Sequence, residues 1–431
     1  MRTTNDISQS PDSTEPTSVD QCLEVLEAEL RQYWNLGQNI LLCWCFDDTG
    51  ISVMIAPHYF LARFSASLND CAPADRLEAL NGMFIRSLIS GSRQLTADEF
   101  EGTAHRLQLR AESVPLPAHL SRREMVPAIE TLVKRFSISH VAKRAVLLFD
   151  ITNFSLMTPF EQASQLNSLS YSLNSAYNKL ARKNIKIHFS RTTTGDGYYV
   201  WNQQLGPRPD LDLFHFLLLV LADNAVARRH TQGTNTVPRL KAGYAIGSHY
   251  EFYQVEGVNP SGSSYIVGEV TIDLARMLEQ AQPGQIFIGD FHTSMPTSLR
   301  EVAYQLDVDT PRFVERASNL MVNLRGLELS GQEIAGVHCY LSGQMDASAG
   351  KSVRRFRITD KHGSTRHAYN LRINIYTGGG SPIILGLQDT SRQPHGSPRS
   401  VDPHKKGRSL CRQRAVTNLR WSRPPGSIDA N

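Results

Sequence analysis

The stretch AVLLFDITNFS, residues 145–155, runs five apolar residues straight into one carboxylate, Asp150, and then into a short polar turn. An apolar run of this length bounded by turn residues predicts a buried strand. Its exit leaves an acid where the core ends. One acid at a strand end is an ordinary turn residue, so its meaning depends on what the rest of the chain brings beside it.

The segments that follow have clear periods. In FEQASQLNSLSYSLNSAYNKLARKN the apolar positions Leu166, Leu169, Leu173, Ala176, Tyr177 and Leu180 recur at helical spacing. IKIHFSRTT and GYYVW read as two strands hinged at TGDG, where Gly195 and Gly197 permit a tight hairpin around Asp196. DLDLFHFLLLVLADNAVARR reads as a helix with an acidic start and a basic end, as the helix dipole favours. RLKAGYAIG is a further strand, GEVTIDLARMLEQAQ a helix stopped by Pro283 and Gly284, and QIFIG a last strand. The β-α-β-β-α-β order predicts an α+β protein with a ferredoxin-like core.

In such a core the end of the first strand lies beside the hairpin of the second and third, so Asp150 and Asp196 become neighbours. Two adjacent carboxylates resist ionising together. A hard divalent cation removes the conflict, since Mg²⁺ favours one or two carboxylates plus phosphate oxygens.

In this order, the residues resemble the catalytic domain of the class III nucleotide cyclases, the adenylate and guanylate cyclase family. LLFDITNFS is similar to that family's first metal-aspartate segment, and TTTGDGYYVW resembles the hairpin carrying the second. LKAGYAIG resembles its Arg/Lys-x-Gly strand. In YIVGEVTIDLARMLEQAQPGQIFIGD, the residues Gly268, Ala275, Arg276, Pro283, Gly284 and Gln285 fall at the family's spacing. The resemblance covers residues 144–341. It implies that Asp150, Asp196 and the backbone carbonyl of Ile151 hold two divalent cations, Mg²⁺ or Mn²⁺, against a nucleoside triphosphate. It implies that Arg276 stabilises the transition state, that Thr192 and Tyr265 face the base, that Arg325 meets the triphosphate, and that a homodimer shares its sites. The implied products are a 3′,5′-cyclic nucleotide and pyrophosphate.

Several positions depart from the family. Its ribose-binding Asn, four residues before the arginine, is Ile272 here, and Asp273 beside it points about 100° away around the helix. The pair that selects a purine is Thr192 and Tyr265, which carries neither purine code; Tyr265 fills space an adenine would occupy, and this suits a smaller pyrimidine base. The late triphosphate lysine is replaced by Arg325. ATP, GTP and the pyrimidine triphosphates all stay open as substrates. The alternative expectation is a degenerate cyclase fold kept for nucleotide binding, dimerisation or sensing.

The flanks carry less chemistry. Residues 1–19 read as disordered, 20–115 as a small α+β module of unknown role, and 116–143 as a connecting helix. Residues 144–343 form the cyclase-like domain, 350–390 a β-rich segment, and 391–431 a disordered basic tail with nine Lys or Arg against two Asp. The overall composition of 431 residues, 41% hydrophobic and 20% charged, is that of a globular protein with a real core. LFHFLLLVLA, residues 213–222, is about half a bilayer span and reads as a buried helix. No secretion-type apolar segment opens the chain, so a cytoplasmic location without membrane contact is expected. Nucleic acid is not an expected partner, because Trp421 is the tail's one stacking platform. The six cysteines are scattered; Cys43 and Cys45 share a strand face and read as buried small hydrophobes. His362 and His367 read as turn histidines, and Gly378 to Gly380 as a hairpin loop.

Overall fold

The chain opens with α1 (Val19–Tyr33), which buries Cys22, Leu26 and Leu30 along one stripe, as a four-residue repeat on a 3.6-residue helix requires. The computed structural model describes residues 19–33, 39–57, 59–60, 76–116, 122–231, 235–254, 263–296, 305–342, 345–346, 350–351, 353–360 and 363–387. The expectations for residues 1–18, for His362 and for the basic tail lie outside the described residues, and Val19 already belongs to α1. All described residues fall within the unit Met1–Asp389.

The first module pairs β1 (Asn39–Phe46) with β2 (Gly50–Pro57), followed by α2 (Arg76–Leu88), α3 (Ala97–Leu107), β3 (Ala111–Pro115) and α4 (Arg122–Arg135). Its antiparallel sheet has the order β1-β2-β3. One face packs Leu41, Trp44, Ile51 and Val53 against α1 and α4, and the other buries Leu42, Cys43, Cys45 and Met54 under α2 and α3. Both cysteines are core, and burial pushes the Cys43 thiol up to about 12. Arg93 is fully buried, yet it donates to the carbonyls of Leu42 at 3.2 Å and Ile138 at 2.7 Å, tying this module to the next strand.

That strand, β4 (Ile138–Ile151), begins earlier than the sequence suggested, so residues 138–143 are strand and the connecting helix ends at Arg135. Then come α5 (Pro159–Arg182), β5 (Phe189–Thr193), β6 (Gly197–Asn202), α6 (Pro207–His230), β7 (Leu240–Gln254), β8 (Ser263–Val267), α7 (Glu269–Gln280) and β9 (Ile286–Gly289). β5 is shorter than expected, because Ile185 and Ile187 are spent on the core before the strand starts.

Beyond β9 lie β10 (His292–Pro296), β11 (Gln305–Asp309), α8 (Thr310–Leu320), β12 (Glu328–Leu329), β13 (Gln332–Leu341) and the short pair β14 (Met345–Asp346) and β15 (Gly350–Lys351). β16 (Arg355–Thr359), β17 (Thr365–Thr377) and β18 (Ile383–Leu385) complete the described elements.

In the main sheet β7, β4, β6 and β5 are neighbours in that order, every pair antiparallel. This is the expected β-α-β-β-α-β core. The sheet continues on the β7 side through β9, β17 and β13 to β12. The β-rich segment after residue 350 is therefore no appendage: β17 lies between β9 and β13, and His367 sits in that strand rather than in a turn. Strand alternation sorts the two cores. Ala145, Leu147, Phe149 and Ile151 face α5 and α6, whereas Val146 and Leu148 face α7 with Phe287 and Ala368. The apolar run 213–222 is the buried middle of α6. No helix among the described residues is long and apolar enough to cross a membrane.

Candidate functional site

Asp150 follows Leu148 on the face turned toward α7, and the strand pairing sets its neighbours. Across β6 it opposes Gly197, and across β7 it opposes Lys241. The Ile151 N–H donates to the Asp196 carbonyl at 2.9 Å, which fastens the β5–β6 hairpin to the end of β4. Glycine is obligatory at 197, because a Cβ there would lie 1.8 Å from the Phe149 carbonyl oxygen. At the hairpin tip Gly195 has a φ of +96°, a conformation that side chains disfavour. The Thr194 hydroxyl donates to Asp196 Oδ1 at 3.1 Å and holds that carboxylate.

After Ile151 the chain turns through Asn153 at a φ of +59°, and α5 starts on a capping box. The Thr158 hydroxyl accepts from the Glu161 N–H at 3.3 Å, and Glu161 accepts from the Thr158 N–H at 2.9 Å. Both acids thus sit on backbone that local hydrogen bonds hold in place.

Burial pushes the Asp150 carboxyl above its ordinary value; Lys241 opposes this, and Asp196, close enough to share a proton, adds to it. Lys241 Nζ stands 3.3 Å from Asp150 Oδ2 and also donates to the Leu278 carbonyl at 3.2 Å, in the last turn of α7. Helix-end carbonyls lack intrahelical donors and favour a cation. Lys241 was missed as a site residue in the sequence. The predicted order sets its strand, LKAGYAIG, beside Asp150, but which residue of that strand stands opposite is fixed only by the register.

Among the described residues no three or more His, Cys, Asp or Glu side chains cluster as a metal cage. The acids at the strand end are two carboxylates, with the backbone of Ile151, the last residue of β4, next to Asp150. An all-oxygen set this small fits Mg²⁺ or Mn²⁺ sharing its remaining places with water and phosphate, and fits a thiophilic metal poorly.

Arg276 lies on α7, where its Nη1 donates to Glu279 at 2.7 Å while its Nε is buried without a partner. Ile272 is half exposed on the same helix. Asp273 is engaged by Arg366 of β17. Thr192 on β5 lies opposite Tyr199, and Tyr265 on β8 stacks on Phe252 with centroids 5.7 Å apart. β5 and β8 lie against one another, which brings the strands of Thr192 and Tyr265 together. Arg325 is exposed in the turn before β12, where its carbonyl accepts from Lys183 at 2.8 Å. No contact among the described residues links it to the aspartates. The fold therefore gathers Asp150, Ile151, Asp196 and Lys241; Arg276 lies on α7, the helix whose Leu278 carbonyl Lys241 also meets, and Arg325 lies in the turn before β12.

Compared with known proteins, the chain matches no family model and no curated protein. Among solved structures it is similar to the adenylyl cyclase CyaB from P. aeruginosa, at 13% identity and a TM-score of 0.31 over 55% of this chain and 95% of that one. It is also similar to the guanylate cyclase domain of RhGC from Catenaria anguillulae in complex with GTP, at 14% identity and a TM-score of 0.30 over 54% and 97%. The guanylyl cyclase Cya2 matches at 10% identity and a TM-score of 0.31 over 53% and 91%.

Proposed function

We propose that the protein is a nucleotidyl cyclase, converting a nucleoside triphosphate to a 3′,5′-cyclic nucleotide and pyrophosphate. The observation that carries this reading is the placing of Asp150 beside Asp196 at adjoining strand ends, where burial and the neighbouring acid push the Asp150 carboxyl above its ordinary value although Lys241 opposes them. Asp150 and Asp196 would hold a divalent cation there, which would supply positive charge and lower the pKa of the ribose 3′-hydroxyl. The hydroxyl gives up its proton to solvent as its oxygen attacks the α-phosphorus, the bond to the bridging oxygen breaks, and pyrophosphate leaves. Asp150 and Asp196 hold the reacting groups in line; Lys241, needed by Asp150 only while no cation is bound, then turns its charge to phosphate oxygens.

Arg276 meets the reacting phosphorus from a second copy of the chain, so the working unit is a homodimer with shared sites. Its bond to Glu279 is exposed and worth little, and it gives way to a phosphate. Arg325 serves the triphosphate in the same assembled site. Thr192 offers one hydroxyl and Tyr265 a bulky ring, a pair suited to a pyrimidine base more than to a purine.

A second reading, nucleotide binding without turnover, is favoured by Ile272, an apolar residue half exposed where the ribose would need a hydrogen bond. One assay separates the two. Purified protein is incubated with Mn²⁺ and each of the four ribonucleoside triphosphates, and products are identified by mass spectrometry. A cyclic product reduced at least about 100-fold by Asp150→Asn supports catalysis. No product with any substrate leaves the binding reading, and a product indifferent to Asp150→Asn overturns the mechanism.

A further inference from the structure

A cavity of about 570 Å³ opens behind the turn that follows Ile151, at the same end of the sheet as Asp150 but on its other face. Asp150 belongs to the face under α7, whereas the cavity is floored by Gln165 of α5, the helix packed on Phe149 and Ile151. Two arginines stand at its mouth. Arg228 ends α6, and Arg239 precedes β7 and is braced by its Nη2 donating to the Pro283 carbonyl at 3.1 Å. Neither has a carboxylate within ion-pair distance among the described residues. Their charges oppose each other: after burial, Arg239 is what lowers the Arg228 guanidinium.

The floor is polar and unsatisfied. Gln165 gives its amide N–H groups to the Asn235 backbone carbonyl at 2.9 Å and side-chain oxygen at 3.1 Å, which leaves its Oε1 buried without a donor. The Thr152 hydroxyl is also buried without a partner, although the Thr152 N–H donates to the Arg239 carbonyl at 2.9 Å. Leu156 and Met157 supply an apolar wall. Unpaired buried polar atoms are costly and call for a partner. Two like charges held together without a counter-ion call for an anion.

We propose that this cavity binds a small phosphate-bearing molecule of nucleoside monophosphate size. The phosphate lies between Arg228 and Arg239, a hydroxyl of the ligand donates to Gln165 Oε1, and its apolar body rests on Leu156 and Met157. The volume falls within the range of small-molecule pockets, about 300–1,000 Å³, and guanidinium forks suit phosphate oxygens. The inference does not depend on the cyclase reading, because it uses none of Asp150, Asp196 or Tyr265.

Calorimetric titration with AMP, CMP and inorganic phosphate, all in EDTA, tests it. The full chain, the double variant Arg228→Ala/Arg239→Ala, Thr152→Val and Tyr265→Ala are compared, with thermal melts to verify folding. AMP or CMP is expected to saturate one site on the native chain more tightly than phosphate does. The double variant should weaken that binding at least about tenfold and Thr152→Val about threefold, with Tyr265→Ala unchanged. Absence of saturable nucleotide binding, unaltered affinity in the double variant, phosphate binding as tight as the nucleotides, or loss of binding in Tyr265→Ala would each overturn the proposal.

Discussion

Gly197 decides whether the two aspartates can meet. Its hydrogen stands where any side chain would strike the Phe149 carbonyl, so Gly197→Ala must push β6 away from β4 at the point where Asp196 is fastened. The expected cost is about 3 kcal/mol in chemical denaturation, among the larger single-residue effects. If the aspartates bind Mn²⁺ as proposed, the rise in melting temperature that the ion gives the native chain should be lost with it. Lys241 makes the complementary case. Lys241→Met removes the counter-charge from Asp150 and should cost the metal-free protein about 1 kcal/mol. Mn²⁺ then replaces charge the fold no longer supplies, so its stabilisation in thermal melts should exceed that of the native chain, while kcat/KM falls. The aspartates were legible because each carries a strong local signal, an apolar run cut off by an acid and a glycine-flanked hairpin. Lys241 was not, because one lysine in a strand has a meaning only once the register across β4 is known.

At the scale of elements, helical and strand periods gave the order β-α-β-β-α-β correctly, and that order alone places the hairpin against β4. The insertion of β17 beside β9 was not readable. Alternation tells which residues of a strand are buried and says nothing of which strand lies alongside, and the partners here are about eighty residues apart in sequence. Long-range strand register also hid the buried group joining β4 to β7. His249 is nearly fully buried beside Arg144, whose Nη1 lies 3.3 Å from its Nε2, and burial with that charge pushes the imidazole down to about 4. Between about pH 6.5 and 4 the unfolded chain binds a proton that the native imidazole refuses. Stability owed to the neutral histidine is therefore complete above that window and lost as the pH falls through it. Relative to His249→Gln, the native chain should lose on the order of 3 kcal/mol between pH 7 and pH 4 in urea titrations. A gap between the two proteins that stays constant with pH would show that His249 does not titrate as its surroundings require.

At the scale of the whole molecule, Asp150 and Arg276 can serve one site from one copy of the chain or from two. Asp150 is held at the end of β4 by Lys241, and Arg276 is held by Glu279 along α7, with no contact between the two groups among the described residues. If each site takes its aspartates from one copy and its arginine from another, Asp150→Asn and Arg276→Ala damage opposite halves of the same site. Each variant alone forms dimers with no intact site. Mixed in equal amounts and allowed to exchange, half of the dimers are heterodimers, and each of these has one site with both defects and one with neither. Activity should therefore return to about a quarter of the native value per chain, following from two-fold closure alone. The recovery should appear with the kinetics of subunit exchange and vanish on dilution below the dimer dissociation constant. Two silent variants that stay silent after demonstrated exchange would place the arginine and the aspartates in one subunit's site, and the shared-site account would fail even if the enzyme itself is active.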